Sequence, residues 1–286
     1  MIFTMGNEDK GIGTLYICAT PIGNLEDISL RVLRVLREVD IIAAEDTRHT
    51  RKLLSHYEIS TNLTSYHKHN ELSATAQLVN MLCAGQDVAL VSDAGLPGIS
   101  DPGQGLIDAC YESGIAVTIC PGATAGVAGL VLSGLCTKRY VFEGFLPRKK
   151  KERRKVLEGF ATERRTVVLY EAPHRLHSTL CDMNDFLGDR QVAIVREITK
   201  KFEEVRKGLI VDLIEHYKEN PPRGEFVLVI EGCCSVEDFV AVPNDLSDQV
   251  RVYVSMGVEE KEAMKIVAKE RGVSKSVVYS AYKIVK

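Results

Sequence analysis

A chain of 286 residues is too long for one small domain and suits two compact domains with a short appendage. Its 45% hydrophobic and 26% charged residues exclude a disordered or a fibrous protein. The formal charge of −3, from 36 Lys+Arg against 39 Asp+Glu, excludes a general polycation, so a nucleic acid must be held by a local basic patch.

Residues 1–13 are polar and contain Glu8 and Asp9, which lack the apolar core of a signal peptide and read as a flexible extension. Strands are then predicted at 15–18, 41–44, 88–92, 116–120 and 140–142. Helices are predicted between them at 28–38, 47–56, 71–84, 105–112 and 123–135. In the first helix Leu30, Leu33, Val35 and Leu36 recur near helical spacing. This rhythm predicts a mostly parallel sheet with helices on both faces, an α/β domain over residues 14–145.

Gly144 and Pro147 break the pattern before a charge run at 148–155, which marks a domain boundary. A helix at 151–161, a strand at 166–170, a helix at 174–186 and a strand at 191–196 follow. A polar strand near 202–206 and a last strand at 225–231, after Pro221-Pro222-Arg223-Gly224, complete a second α/β domain over 146–232 with more antiparallel signals. Residues 233–286 read as a C-terminal helical module. There Ala268 and Gly272, with Val267, Val273, Val277, Val278 and Ala281, have helix-turn-helix-like spacing, which an ordinary three-helix packing module would also show. Eight Lys+Arg and eight Asp+Glu over 236–286 leave that module without an electrostatic footprint.

The eight cysteines, mostly in apolar runs and without a C-x-x-C pair, read as small buried hydrophobes in a reducing compartment. No apolar stretch approaches the roughly 18 residues of a membrane span, so a soluble, cytoplasmic protein without a membrane partner is expected.

Three strand ends carry candidate chemistry. Thr20-Pro21-Ile22-Gly23-Asn24 follows the first strand, where an α/β sheet exposes its ligand crevice. The loop from Ser92 to Gly103 holds three glycines, two prolines and two aspartates. It reads either as a tight crossover or as a cofactor seat in which Asp93 accepts hydrogen bonds or faces a cation. Pro121-Gly122-Ala123-Thr124-Ala125 puts small side chains at a helix start, which leaves room for a ligand. Gly11-Ile12-Gly13 precedes its strand, the wrong side for a dinucleotide fingerprint, and no Walker lysine loop is present.

These blocks, with Ala44-Glu45-Asp46-Thr47-Arg48, Gly144 to Arg154, Tyr170-Glu171-Ala172-Pro173-His174-Arg175 and Arg223-Gly224-Glu225-Phe226, resemble the tetrapyrrole methylases, or class III methyltransferases, over nearly the whole chain. The wider family has a shorter Gly-Asp-Pro loop, so the long loop at Asp93 is similar to its ribosomal RNA branch. The resemblance implies two α/β domains in a homodimer, with S-adenosylmethionine in the cleft between the domains. It implies cofactor contacts from Pro21, Ile22, Asp93, Gly98, Ile99, Thr124, Ala125, Tyr170, Ala172, Glu225 and Phe226. It also implies 2′-O-methylation of cytidine 1402 of 16S ribosomal RNA, in the assembled 30S subunit.

Methyl transfer needs in-line approach of the ribose oxygen, and a general base would help deprotonate it. Glu171, His174, Lys200 and Glu203 are candidates, each with an alternative as a cap, ion-pair partner or surface residue. His67-Lys68-His69 lacks further ligands at metal spacing, so no metal site is expected. The run from Arg148 to Lys155 has seven positive charges and one negative. It suggests an RNA phosphate grip made by Arg148, Lys149, Lys150, Lys151, Arg153 and Arg154, which Arg48, His49 and Arg51 could extend. The rival functions are a small-molecule, tetrapyrrole-type methyltransferase and a non-catalytic ribosome-binding protein.

Overall fold

A computed structural model describes residues 11–233, 245–255 and 258–284. Residues 1–10 of the expected extension and residues 234–244 of the expected helical module lie outside them. The chain divides into two compact units, Met1–Cys233 and Cys234–Lys286.

In the larger unit β1 (Thr14–Cys18), β2 (Ile41–Ala44), β3 (Leu63–Ser65), β4 (Val88–Val91) and β5 (Ala116–Cys120) form a parallel sheet in the order β3-β2-β4-β1-β5. The two-residue period of a strand sorts their side chains to two cores. Cys18, Ile42, Ala89 and Val91 meet α1 (Leu30–Glu38) and α2 (Thr47–His56). Leu15, Ile17, Val88 and Leu90 meet α3 (Glu71–Cys83) and α4 (Gln104–Glu112). Ser29 and Asp46 start α1 and α2 by accepting hydrogen bonds from the N–H groups of Val32 and Arg48. Helix α1 buries Val32, Val35 and Leu36, whereas Leu30, expected on its apolar face, is 85% exposed in the first turn.

Helix α5 (Ala125–Leu132) then crosses to a second sheet. Leu130 shares a core with Val168, Val195 and Val229, and a Cβ added to Gly129 would fall 2.7 Å from Val227. The second sheet contains β6 (Tyr140–Phe145), β7 (Thr166–Glu171), β8 (Gln191–Arg196), β9 (Glu204–Leu209) and β10 (Phe226–Ile230) in the order β6-β7-β10-β8-β9. Only β6 and β7 run parallel. The strand expected at 140–142 to close the first domain therefore opens the second sheet. Local periodicity gives a strand's existence, but its sheet is decided by the partner, here β7.

Helices α6 (Lys150–Phe160), α7 (Pro173–Leu187) and α8 (Ile210–Glu219) cover the other face. They pack Leu157, Leu180, Met183 and Leu213 on Val167, Leu169, Ile194 and Leu228. Each fully buried Val, Leu or Ile of this kind stabilises by about 1.5–3 kcal/mol before the entropy of ordering is subtracted.

The smaller unit contains α9 (Leu246–Ser255), α10 (Glu260–Arg271) and α11 (Lys275–Ile284). Val250, Met264, Val267, Ala268 and Val278 give these three helices a core of their own. Helix α10 ends at Gly272, the turn expected from the sequence. Cys18, Cys110 and Cys120 are buried as expected, but Cys83 and Cys136 are exposed. None of the described helices is long and apolar enough to cross a membrane.

Candidate active site

Strands β1 and β4 are neighbours, yet the chain leaves β1 for β2 on one side and β4 for β5 on the other. Such a switch point opens a crevice at the carboxyl ends of the strands. The loops after β1 and β4 meet there. The Thr20 N–H donates to the Gly95 carbonyl at 2.8 Å, and the Gly95 N–H donates to the Thr20 carbonyl at 3.1 Å. Gly95 has φ +82°, which a residue with a Cβ adopts only under strain.

The second sheet closes the crevice. A register shift in β6 brings Gly144 so near the Ser92–Gly103 loop that an added Cβ would lie 2.9 Å from the Ser100 Oγ. Ser100 itself has φ +65°, a strained conformation that functional loops retain when the surroundings hold it. The Tyr170 hydroxyl accepts the Gly126 N–H at 3.0 Å and ties β7 to the start of α5.

A cavity of about 420 Å³ results, within the range of ligand sites. Of the residues expected to hold the cofactor, Ile22, Asp93, Ile99, Thr124, Ala125, Tyr170, Ala172, Glu225 and Phe226 line it. Pro21 and Gly98 do not. Pro21 precedes the lining residue Ile22, and Gly98 packs beneath the loop, where a Cβ added to Gly103 would meet its nitrogen at 3.0 Å. Ile22, Ile198, Phe226 and Val227 make an apolar wall, while Glu45, Asp93 and Asp101 make an acidic one.

The expected bases are otherwise engaged. Glu171 reaches the cavity wall but is 3% exposed. It accepts hydrogen bonds from the Ala172 N–H at 2.8 Å and the Thr179 hydroxyl at 2.6 Å, and pairs with Arg175 at 3.3 Å. These bonds fix the β7–α7 junction and engage both carboxylate oxygens. Lys200 pairs with Glu225 at 2.8 Å and Glu197 at 3.1 Å. Burial favours its neutral form, but those carboxylates outweigh it and raise its pKa, so it stays protonated. His174 is exposed outside the wall, and Glu203, also outside, accepts the Thr199 N–H at 2.7 Å.

Asp101 and Glu45, two cavity carboxyls not among the bases expected from the sequence, both stand in the motif blocks. Burial pushes Asp101 above the usual carboxylate range, and Asp93 adds to the rise while Lys68 opposes it. Glu45 is raised by burial first and then by Asp101 and Asp93, although it accepts the Asp93 N–H. Asp93 in turn accepts the Asp46 N–H at 3.1 Å, which joins the ends of β2 and β4. Asp101 accepts no hydrogen bond from any described residue, so its oxygens are free for a substrate.

The basic run is partly consumed within the fold. Arg153 is 6% exposed and donates from Nε to Asp182 at 2.8 Å, so it cannot grip phosphate as expected. Arg154 pairs with Asp182 at 3.2 Å and Asp185 at 2.5 Å. Arg148, Lys149, Lys150 and Lys151 remain exposed. Lys149 makes only a surface pair, with Glu152 at 3.2 Å, worth little in water, and Lys150 reaches the buried Asp182 only at 3.8 Å. Among the described residues no group of three His, Cys, Asp or Glu side chains is placed to hold a metal ion.

Residues 14–214 match the profile of the tetrapyrrole (corrin/porphyrin) methylases. Ribosomal RNA small subunit methyltransferase I of Halalkalibacterium halodurans is 48% identical over 278 residues, covering 96% of both chains. The protein of that name from Bacillus subtilis is 45% identical over 283 residues, covering 98% of this chain and 96% of its own. Among solved structures, the methyltransferase CobJ matches with a TM-score of 0.60 at 17% identity, covering 77% of this chain and 95% of its own. Diphthine synthase matches with a TM-score of 0.58 at 14% identity, covering 77% and 90%. At such identities these two matches speak for the fold alone.

Proposed function

Because the chain belongs to the tetrapyrrole methylase family, we propose that it transfers a methyl group from S-adenosylmethionine to the 2′-oxygen of a cytidine, position 1402, in 16S ribosomal RNA. The observation that carries this reading is the switch-point cavity, which brings apolar residues and the carboxyl groups of Glu45, Asp93 and Asp101 together in one cleft built by both sheets. The full-length relatives named for small-subunit ribosomal RNA support the substrate class.

The cavity's chemistry fits the cofactor. Ile22, Ile198, Phe226 and Val227 suit a planar base, and the acidic wall suits a cation. Bound there, S-adenosylmethionine supplies an electrophilic methyl group on a sulfonium. The chain's residues do the rest. Asp93, held by the Asp46 N–H, offers a fixed negative charge to the cofactor's cationic groups. Asp101 takes the proton of the ribose 2′-hydroxyl, its raised pKa making it a stronger base than an ordinary carboxylate. Phe145, 54% exposed on the cavity wall, offers a ring on which a nucleobase can stack.

We place the enzyme in the cytoplasm, acting on the assembled 30S subunit as a homodimer. Helix α5 leaves Val127, Val131 and Leu132 exposed, apolar surface that a second subunit would cover.

The test supplies S-adenosylmethionine labelled in its methyl group with small ribosomal subunits, deproteinised small-subunit RNA or a tetrapyrrole precursor. Label is expected in RNA of the small subunit. Label in the tetrapyrrole alone would overturn the reading, and label nowhere would leave a binding protein. In calorimetry, Asp93→Ala is expected to weaken S-adenosylmethionine binding about tenfold or more, the scale of a lost charge-assisted contact. Unchanged affinity would remove Asp93 from the seat.

A further inference from the structure

A second cavity, of about 240 Å³, opens beside the first, and Phe226 belongs to the wall of both. Arg196 from β8, Arg206 from β9 and Arg223 from the loop before β10 line it, with His216 and Asn220 from the end of α8. Among the described residues Glu204 is the only carboxylate on its wall. That carboxylate is shared, with Arg206 at 2.7 Å and Arg196 at 3.5 Å. Three guanidinium groups against one carboxylate leave two positive charges unbalanced.

The donors are also incompletely used. Arg196 Nε donates to the Arg223 carbonyl at 2.6 Å, which holds the Pro221–Gly224 turn against β8. The Arg206 Nε is buried without a hydrogen-bond partner. A buried donor left without a partner is costly unless a ligand fills it. The Arg223 guanidinium has no hydrogen bond or ion pair with any described residue. Planar forks of this kind match phosphate oxygens in pairs.

We propose that this arginine pocket binds a backbone phosphate of the RNA whose target nucleotide lies in the first cavity. The proposal rests on the RNA reading above. Arg223 stands two residues before Glu225, so the pocket and the cofactor cleft lie within about 7 Å of extended chain. The chain from Pro221 to Glu225 runs from the wall of one cavity to the wall of the other, so an RNA strand that follows this segment would meet both. In the 148–155 run Arg153 and Arg154 are taken by Asp182, whereas in the pocket the Arg223 guanidinium is left unpaired among the described residues, two residues from the cofactor cleft.

The experiment measures the affinity of the whole protein for isolated small ribosomal subunits across a salt series. Arg206→Gln with Arg223→Gln is expected to weaken binding about tenfold and to flatten the plot of log affinity against log salt by about one to two. Affinity for S-adenosylmethionine should stay at the parent value. If the double variant does not fold, Arg223→Gln alone carries the test, because its side chain has no partner to lose, and a slope lower by about one is expected. An unchanged slope and affinity overturn the proposal while leaving methyl transfer intact. A parent protein that binds neither the subunits nor their RNA overturns the RNA reading and the pocket together. Titration with inorganic phosphate separates the remaining source. Tight phosphate binding that the arginine variants abolish, with subunit affinity unchanged, would make the pocket a free-anion site and refute the RNA assignment.

Discussion

Asp101→Asn is expected to lower kcat by roughly 10²–10⁴-fold, the usual worth of a positioned general base, while S-adenosylmethionine binds nearly as before. The amide keeps the size and hydrogen-bonding reach of the side chain but cannot take a proton. Asp101 is singled out over its neighbours by what already occupies them: Glu45 accepts the Asp93 N–H, Asp93 accepts the Asp46 N–H, and Glu171 is bonded at both oxygens. The pH profile distinguishes a base from a merely structural carboxylate. Burial raises the Asp101 pKa above its ordinary value of about 3.9, so kcat/KM should fall on the acid side through a limb that lies above that pH. Lys68 favours the charged form, so Lys68→Met should move the limb to higher pH. In Asp101→Asn the limb should vanish. An Asp101→Asn enzyme of parental kcat would transfer the role to Glu45.

The second large effect is on stability. Asp182→Ala is expected to cost about 3–5 kcal/mol, because it leaves the Arg153 guanidinium buried without its counter-charge. For a unit of this size that is a fall in Tm of about 6–20 °C. Replacing both partners, Arg153→Met with Asp182→Leu, should recover most of the loss, since a buried pair offsets little more than its own desolvation. Burial alone would raise the Asp182 carboxyl, but hydrogen bonds from Arg153 and Arg154 outweigh it and hold it below the usual range. The folded-state value thus lies below the unfolded one of about 3.9. The contribution is present above that pH and is lost as pH falls through the folded-state value. Thermal melts from neutral to acid pH check this. An Asp182→Ala protein that melts with the parent would show that the pair does not hold α6 to α7.

These two residues also mark the limits of reading the sequence. The core strands were legible because Val88-Ala89-Leu90-Val91 is apolar on both faces. Helix α2 was legible because Asp46 caps it at the first expected residue. Strand β3 was not, being three residues at the sheet's edge with no buried side chain. Helix α8 was missed because it starts at Ile210 directly from β9, and Gly208, two residues before it, lies inside that strand rather than in a turn. Most of the cavity lining followed from motif blocks, since the ends of strands in both sheets converge on one crevice. The base did not. Glu171, His174, Lys200 and Glu203 stand in polar stretches, and a polar stretch does not reveal which carboxylates the fold will satisfy. The basic run misled for the same reason: the partner of Arg153 is Asp182, on another helix, and no local pattern reports it.

The measurement closest to the central claim is mass spectrometry of nucleosides from small ribosomal subunits incubated with the protein and methyl-labelled S-adenosylmethionine. Complete digestion is predicted to release the label as 2′-O-methylcytidine, in an amount that Asp101→Asn reduces in step with kcat. Label on a base, or on no nucleoside of that RNA, would contradict the account.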